Sequence, residues 1–188
     1  VAKGILTTDL VEKYCSVSFK VDGVTVNLSG VAKGSGMIRP NMATMLSFIV
    51  TDIGASQDEL QQCLDISVSQ SFNRITVDGD TSTNDACTLS ATNQSGIHYS
   101  QCREEFQKAL NELTKKLAHM IVKDGEGSTK FVEVRVSGLE SNEDCLEVAY
   151  TVAHSPLVKT ALFASDANWG RILAAVGRAR VDGISFEN

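Results

Sequence analysis

The chain has 188 residues, 43% hydrophobic and 21% charged, with a formal net charge of -6. That composition suits one compact unit of mixed type. An acidic balance without a basic block argues against nucleic acid as a partner, and no apolar run reaches the ~20 residues of a membrane span.

The first residues, Val1-Ala-Lys-Gly-Ile-Leu-Thr7-Thr8-Asp9, form an apolar run meeting a polar turn, where either threonine can cap or turn the chain. With no starting methionine, the sequence reads as one globular unit over 1–188 cut from a longer protein. Cys15 to Val21 alternates, Asp22-Gly23 supplies a two-residue turn, and Val24 to Leu28 alternates back, which predicts a β-hairpin. The hairpin delivers the chain to Lys33. A lysine among small residues is either a solvated charge or an ammonium held close to backbone and to a bound anion.

Lys33 to Leu46 reads KGSGMIRPNMATML. Gly34, Gly36 and Pro40 forbid a regular element, since glycine opens positive φ and proline fixes φ and removes a donor. The apolar run Thr44 to Thr51 then predicts a buried strand, so Thr44 falls at a loop-to-strand boundary. The spacing of a phosphate-cradling loop is missing. Thr44 reads either as a β-branched strand starter or as a nucleophile. A threonine hydroxyl needs an adjacent base, and a cut at Ala43-Thr44 would supply one as the new α-amine.

Ser56-Gln-Asp-Glu59 fits a capping box, and Leu60, Cys63, Leu64, Ser67, Val68 and Ser71 mark one face of a helix ending near Phe72. A short strand is expected over Arg74 to Val77. Asp78 to Asp85 (DGDTSTND) resembles a calcium loop only at its start. Thr83 stands where glycine is needed and Leu89 where a bidentate glutamate is needed, so no metal site is predicted and the loop is expected to position neighbouring strand ends through hydrogen bonds. Ala86 to Thr92 reads as a strand.

Ser100 is expected to cap a long helix with Phe106, Leu110, Leu113, Leu117, Met120 and Ile121 on one face. It stops at Lys123-Asp-Gly-Glu-Gly127, where Glu126 on its own reads as a solvated loop acid. Thr129 to Ser137 alternates like a strand, and Ser141 to Val152 reads as a helix broken by His154-Ser155-Pro156. Leu157 to Ala164 is a further strand candidate and Asn168 to Gly177 a helix. His154 beside Ser155 is not a hydrolase pair, because sequence neighbours point apart and no GxSxG elbow exists. Cys15, Cys63, Cys87, Cys102 and Cys145, odd in number and without a CxxC, read as reduced structural thiols.

KGSGMIRPNMATML resembles the self-cleavage segment of the bifunctional glutamate/ornithine N-acetyltransferases of arginine biosynthesis. ILTTD, DGDTSTND, DGEGSTKF and SPLVKTALFASDANWGRILAAVG are similar to further stretches of that family, although Ala164 and Ala167 replace a usual glycine and proline. The resemblance thus covers nearly all of the chain. It implies an α+β / α/β sandwich of packed sheets covered by helices, N-terminal-nucleophile-like and of the DmpA/ornithine acetyltransferase type. Residues 1–43 would end the part before the cut and 44–188 would start the part after it.

The same resemblance implies autocleavage at Ala43-Thr44 and acetyl transfer from N-acetylornithine to glutamate through an acetyl-Thr44 intermediate. Thr7, Lys33, Thr44 and Glu126 would contact substrate, with Lys33 suited to a carboxylate and Glu126 to the ammonium of ornithine. No cofactor is implied; acetyl-coenzyme A as a second acetyl donor stays open. The expected assembly is a hetero-oligomer of the two cleavage products, such as a heterotetramer. The expected location is the cytoplasm, or the mitochondrial matrix or plastid of a eukaryote. Full-length members also carry an upstream threonine-glycine oxyanion pair and a downstream asparagine and hydroxyl residue, and this chain contains none of these positions. Two other classes stay open. One is a hydrolase of the same fold, such as a β-peptide aminopeptidase, against which Lys33 and Glu126 argue; the other is a non-catalytic fragment.

Overall fold

A computed structural model describes residues 1–39, 45–81 and 85–181. They fall into two compact units, Val1–Ser128 and Thr129–Asn188.

The first unit is built on a four-stranded mixed sheet in the order β1-β2-β3-β4. Strands β1 (Lys13–Val21) and β2 (Val24–Lys33) pair antiparallel from Lys13 opposite Ala32 to Val21 opposite Val24. Asp22 and Gly23 both take positive φ, 47° and 83°, as the favoured two-residue hairpin turn requires. β3 (Leu46–Thr51) adds antiparallel to β2, and β4 (Ala86–Ala91) adds parallel to β3. Between β3 and β4 the chain runs through helix α1 (Gln57–Gln70), as a parallel connection needs. Ser56 and Glu59 form the expected reciprocal capping box at its start.

Helix α2 (Arg103–Lys123) lies over β1 and β2 and beside α1. Its buried stripe of Phe106, Leu110, Leu113, Leu117 and Ile121 repeats at three-to-four spacing and meets Val26, Leu28, Ala32 and Ile49 of the sheet. Gly30 permits that approach. A Cβ there would come within 2.9 Å of Leu117 and 3.2 Å of Leu113. The helix start differs from expectation: Tyr99–Gln101 is a single 3-10 turn, and the α-helix begins after Cys102 instead of at Ser100.

The expected strand at Arg74 to Val77 is not formed. Phe72–Arg74 is a 3-10 turn, and Val77 contributes one backbone bond to the Ile38 carbonyl at 2.9 Å, too little for a ladder. In the second unit, α3 (Asn142–Ala153), α4 (Pro156–Phe163) and α5 (Trp169–Val176) surround Val152, Val158 and Ala175. The expected strand at Leu157 to Ala164 is instead α4. Ser155 accepts the Val158 N–H and Pro156 occupies the first helical position, so helix-start chemistry prevails over the apolar run. Thr129 to Ser137 alternates but pairs with no strand among the described residues. The sheet covered by helices gives the α+β architecture expected.

Candidate functional site

Three chain segments of the first unit carry the predicted substrate contacts. Thr7 follows a 3-10 turn at Ala2–Ile5, Lys33 is the last residue of β2, and Glu126 lies three residues beyond α2. The Lys33 side chain is buried, with the residue 8% exposed, and its Nζ donates to Thr7 Oγ1 at 2.9 Å. That is its one hydrogen bond among the described residues, and an ammonium has three protons to donate. Glu126 joins from the other side: its amide donates to the Ser35 carbonyl at 2.9 Å. A Cβ on Gly36 would lie 2.8 Å from the Glu126 carboxylate, so that acid rests against the glycine backbone three residues from Lys33. A cation and an anion thus flank one short turn, Gly34 to Gly36.

Behind this turn lies a charge cluster that no motif announced. Lys13, at the head of β1, is completely buried. Its Nζ donates to Asp9 Oδ1 and to Asp124 Oδ2, both at 2.6 Å, and to the Val11 carbonyl at 3.3 Å. Asp9 also accepts the Gly34 N–H at 2.7 Å and the Thr7 N–H at 3.3 Å. Asp124 accepts the amides of Leu10 and Val11 at 3.0 and 3.4 Å, while its own carbonyl receives the Ser35 hydroxyl at 2.8 Å. Burial alone would raise the Asp9 carboxyl, but the Lys13 ammonium and the Gly34 and Thr7 amides outweigh it and hold that acid below its ordinary range.

Ala43 and Thr44 lie outside the described residues, but both flanks of their segment are on view. Asp78 accepts the amides of Met37 and Ile38 at 2.6 and 3.1 Å, and Asp85 accepts the amide of Met45 at 2.6 Å. The two ends of the DGDTSTND stretch therefore hold the chain before and after residues 40–44, which is the positioning role expected of it. Asp85 Oδ2 is buried with no hydrogen-bond partner among the described residues, and burial raises this carboxyl despite the Met45 amide.

All five cysteines are unpaired. Burial pushes the thiols of Cys15, Cys63 and Cys102 up and that of Cys87 to about 11, so these four stay protonated and are poor nucleophiles. An open depression of about 340 Å³, lined by Ser56, Glu59, Asn93, His98 and Tyr99 among others, shares no residue with the charged turn. Its Glu59 carboxylate is engaged by Ser56 in the helix cap.

Sequence reasoning singled out Thr7, Lys33 and Glu126, and the structure draws their segments together. It missed the buried cluster of Lys13, Asp9 and Asp124. A signal existed for Lys13, which shares strand parity with Cys15, Val17 and Phe19 and so belongs to the inward row. Asp124 had none, because Lys13 lies 111 residues away, and Asp9 sits in an irregular segment where no periodicity places it opposite Gly34, 25 residues on.

A family model described as the ArgJ family matches residues 1–188. The "Arginine biosynthesis bifunctional protein ArgJ" of Pseudomonas fluorescens is 55% identical over 185 residues, covering 96% of this chain and 46% of that protein. The "Glutamate N-acetyltransferase" of Methanocaldococcus jannaschii is 51% identical over 183 residues, again covering 96% and 46%. A crystal structure of the arginine biosynthesis bifunctional protein argJ from Bacillus halodurans superposes with a TM-score of 0.67 at 42% identity, over 72% of this chain and 65% of that one. The chain therefore spans about half the length of the curated relatives it matches.

Proposed function

Because this chain belongs to the ArgJ family, we propose that the complete protein transfers an acetyl group from N-acetylornithine to glutamate, with Thr44 as the nucleophile. Self-cleavage at Ala43-Thr44 frees the threonine α-amine, which then takes the hydroxyl proton. The Thr44 oxygen attacks the acetamide carbonyl of N-acetylornithine, the carbon–nitrogen bond breaks, and ornithine leaves with a proton on its α-amine. The glutamate α-amine then attacks the resulting ester. The carbon–oxygen bond breaks and the threonine hydroxyl is restored.

The observation that carries this reading is the opposite charge on either side of the Gly34–Gly36 turn. Lys33, with one proton engaged by Thr7, suits the α-carboxylate that both substrates share. Glu126 suits the side-chain ammonium of N-acetylornithine, which glutamate lacks. This role belongs to the whole protein, in which the two cleavage products are proposed to assemble as a hetero-oligomer in the cytoplasm. No helix among the described residues is long and apolar enough to cross a membrane. The reading needs no metal or organic cofactor, and acetyl-coenzyme A would act only as an alternative acetyl donor.

Substrate kinetics of two variants of the full-length protein test the assignment. A charge-assisted hydrogen bond contributes about 1.5–3 kcal/mol, or roughly a 10- to 150-fold change in affinity. Glu126→Gln is expected to raise KM for N-acetylornithine by that factor and to spare glutamate, whereas Lys33→Met is expected to weaken both. Equal effects of Glu126→Gln on the two substrates, or no effect of either variant, would refute the charge assignment.

A further inference from the structure

The Lys13 ammonium contacts no solvent and has no proton left to offer. Its three donors go to Asp9, Asp124 and the Val11 carbonyl. It therefore cannot itself bind a substrate. Two carboxylates flank it, with side chains 0% and 5% exposed, so the cluster carries one buried negative charge in excess. Such an arrangement persists only when further donors complete it, and here they are backbone amides: Thr7 and Gly34 on Asp9, Leu10 and Val11 on Asp124.

Those amides belong to the segments that carry the proposed substrate contacts. Asp9 joins the Thr7 segment directly to the residue after Lys33. Asp124, itself two residues before Glu126, binds that same segment through the amides of Leu10 and Val11. Ser35 closes the circuit, its hydroxyl bonded to the Asp124 carbonyl and its own carbonyl receiving the Glu126 amide. A substrate-independent clamp thus sets the spacing between Lys33 and Glu126, with one lysine at its centre.

We propose that Lys13 is a positioning residue, a buried ammonium that registers the Thr7, Lys33 and Glu126 segments so that both ends of the amino-acid substrate are met at once. The inference rests on the reading that Lys33 and Glu126 bind substrate. Loss of the ammonium leaves Asp9 and Asp124 facing each other without a cation, so the clamp opens and the spacing between the two contacts relaxes. Binding of both substrates weakens, because each uses the same turn, while the nucleophile's own chemistry at saturation is preserved.

Two variants of the full-length protein separate this from a general loss of stability. Lys13→Met removes the ammonium at similar length. Lys13→Met combined with Asp9→Asn does so while keeping the cluster's net charge at -1, because one positive and one negative group disappear together. In whichever of the two folds, KM for N-acetylornithine and for glutamate is expected to rise at least tenfold, with kcat within about threefold of wild type. A KM within twofold of wild type would overturn the proposal, whatever the change in Tm.

Lys33→Met, measured alongside, tells which idea has failed. Unchanged KM in Lys33→Met removes the reading of the site itself, whereas a raised KM there with normal KM in the Lys13 variants removes only the positioning role. Amide hydrogen exchange on the unaltered protein needs no variant. The amides of Thr7, Leu10, Val11 and Gly34 are expected to exchange as one slow group and to slow further with N-acetylornithine bound. Independent, fast exchange unaffected by that ligand would equally overturn the proposal.

Discussion

Asp85 holds the Met45 amide with one oxygen, and its other oxygen is buried without a partner among the described residues. A half-satisfied carboxylate is costly, and the cost takes a definite pH dependence. The folded chain binds the Asp85 proton more tightly than the unfolded chain, since burial raises the carboxyl above its ordinary value. Ionisation therefore subtracts stability as pH rises past the ordinary carboxyl value and through the raised one, and the loss is absent below both. Asp85→Asn keeps an oxygen for Met45 and removes the ionisation. The variant is expected to be at least as stable as wild type at pH 7, with the difference shrinking on acidification, as urea midpoints across pH would show. A deficit at pH 7 that persists unchanged into acid would contradict this account of Asp85. Asp9 has the opposite sign. Its lowered carboxyl contributes stability above the ordinary value that is lost as pH falls through the lowered one.

Elements whose chemistry is local were legible from residues alone. Asp22-Gly23 set the hairpin through backbone conformation, Ser56 and Glu59 set the start of α1, and the Phe106 to Ile121 stripe set the buried face of α2. Elements that depend on a distant partner were not. The alternation of Thr129 to Ser137 describes a strand only if another strand lies beside it, and α4 was concealed because LVKTALF is apolar enough for either element until Ser155 and Pro156 are weighed. The site divides in the same way. Thr7, Lys33 and Glu126 were reached through motif resemblance, while the Asp9–Lys13–Asp124 clamp spans 111 residues between Lys13 and Asp124 and has no sequence signature. Gly30 illustrates a packing constraint that the sequence states without explaining. Its missing Cβ lets α2 settle on β2, so Gly30→Ala is expected to lower stability by about 1–3 kcal/mol, as overpacking typically does. A urea midpoint equal to wild type, with unchanged slope, would show that Leu117 yields without cost.

At the scale of the whole molecule, this chain supplies a charged turn, its buried clamp and the residues on both sides of the Ala43-Thr44 bond, within about half the length of its relatives. The proposed chemistry needs the complete protein, because a covalent acetyl-threonine requires both a free Thr44 amine and a formed substrate site. Intact-mass measurement of the full-length protein, before and after incubation with N-acetylornithine alone, tests that directly. Two subunits divided between Ala43 and Thr44 are expected, the Thr44-containing one gaining a single acetyl group that glutamate then removes. One uncut chain, or two subunits that gain no acetyl group, would contradict it.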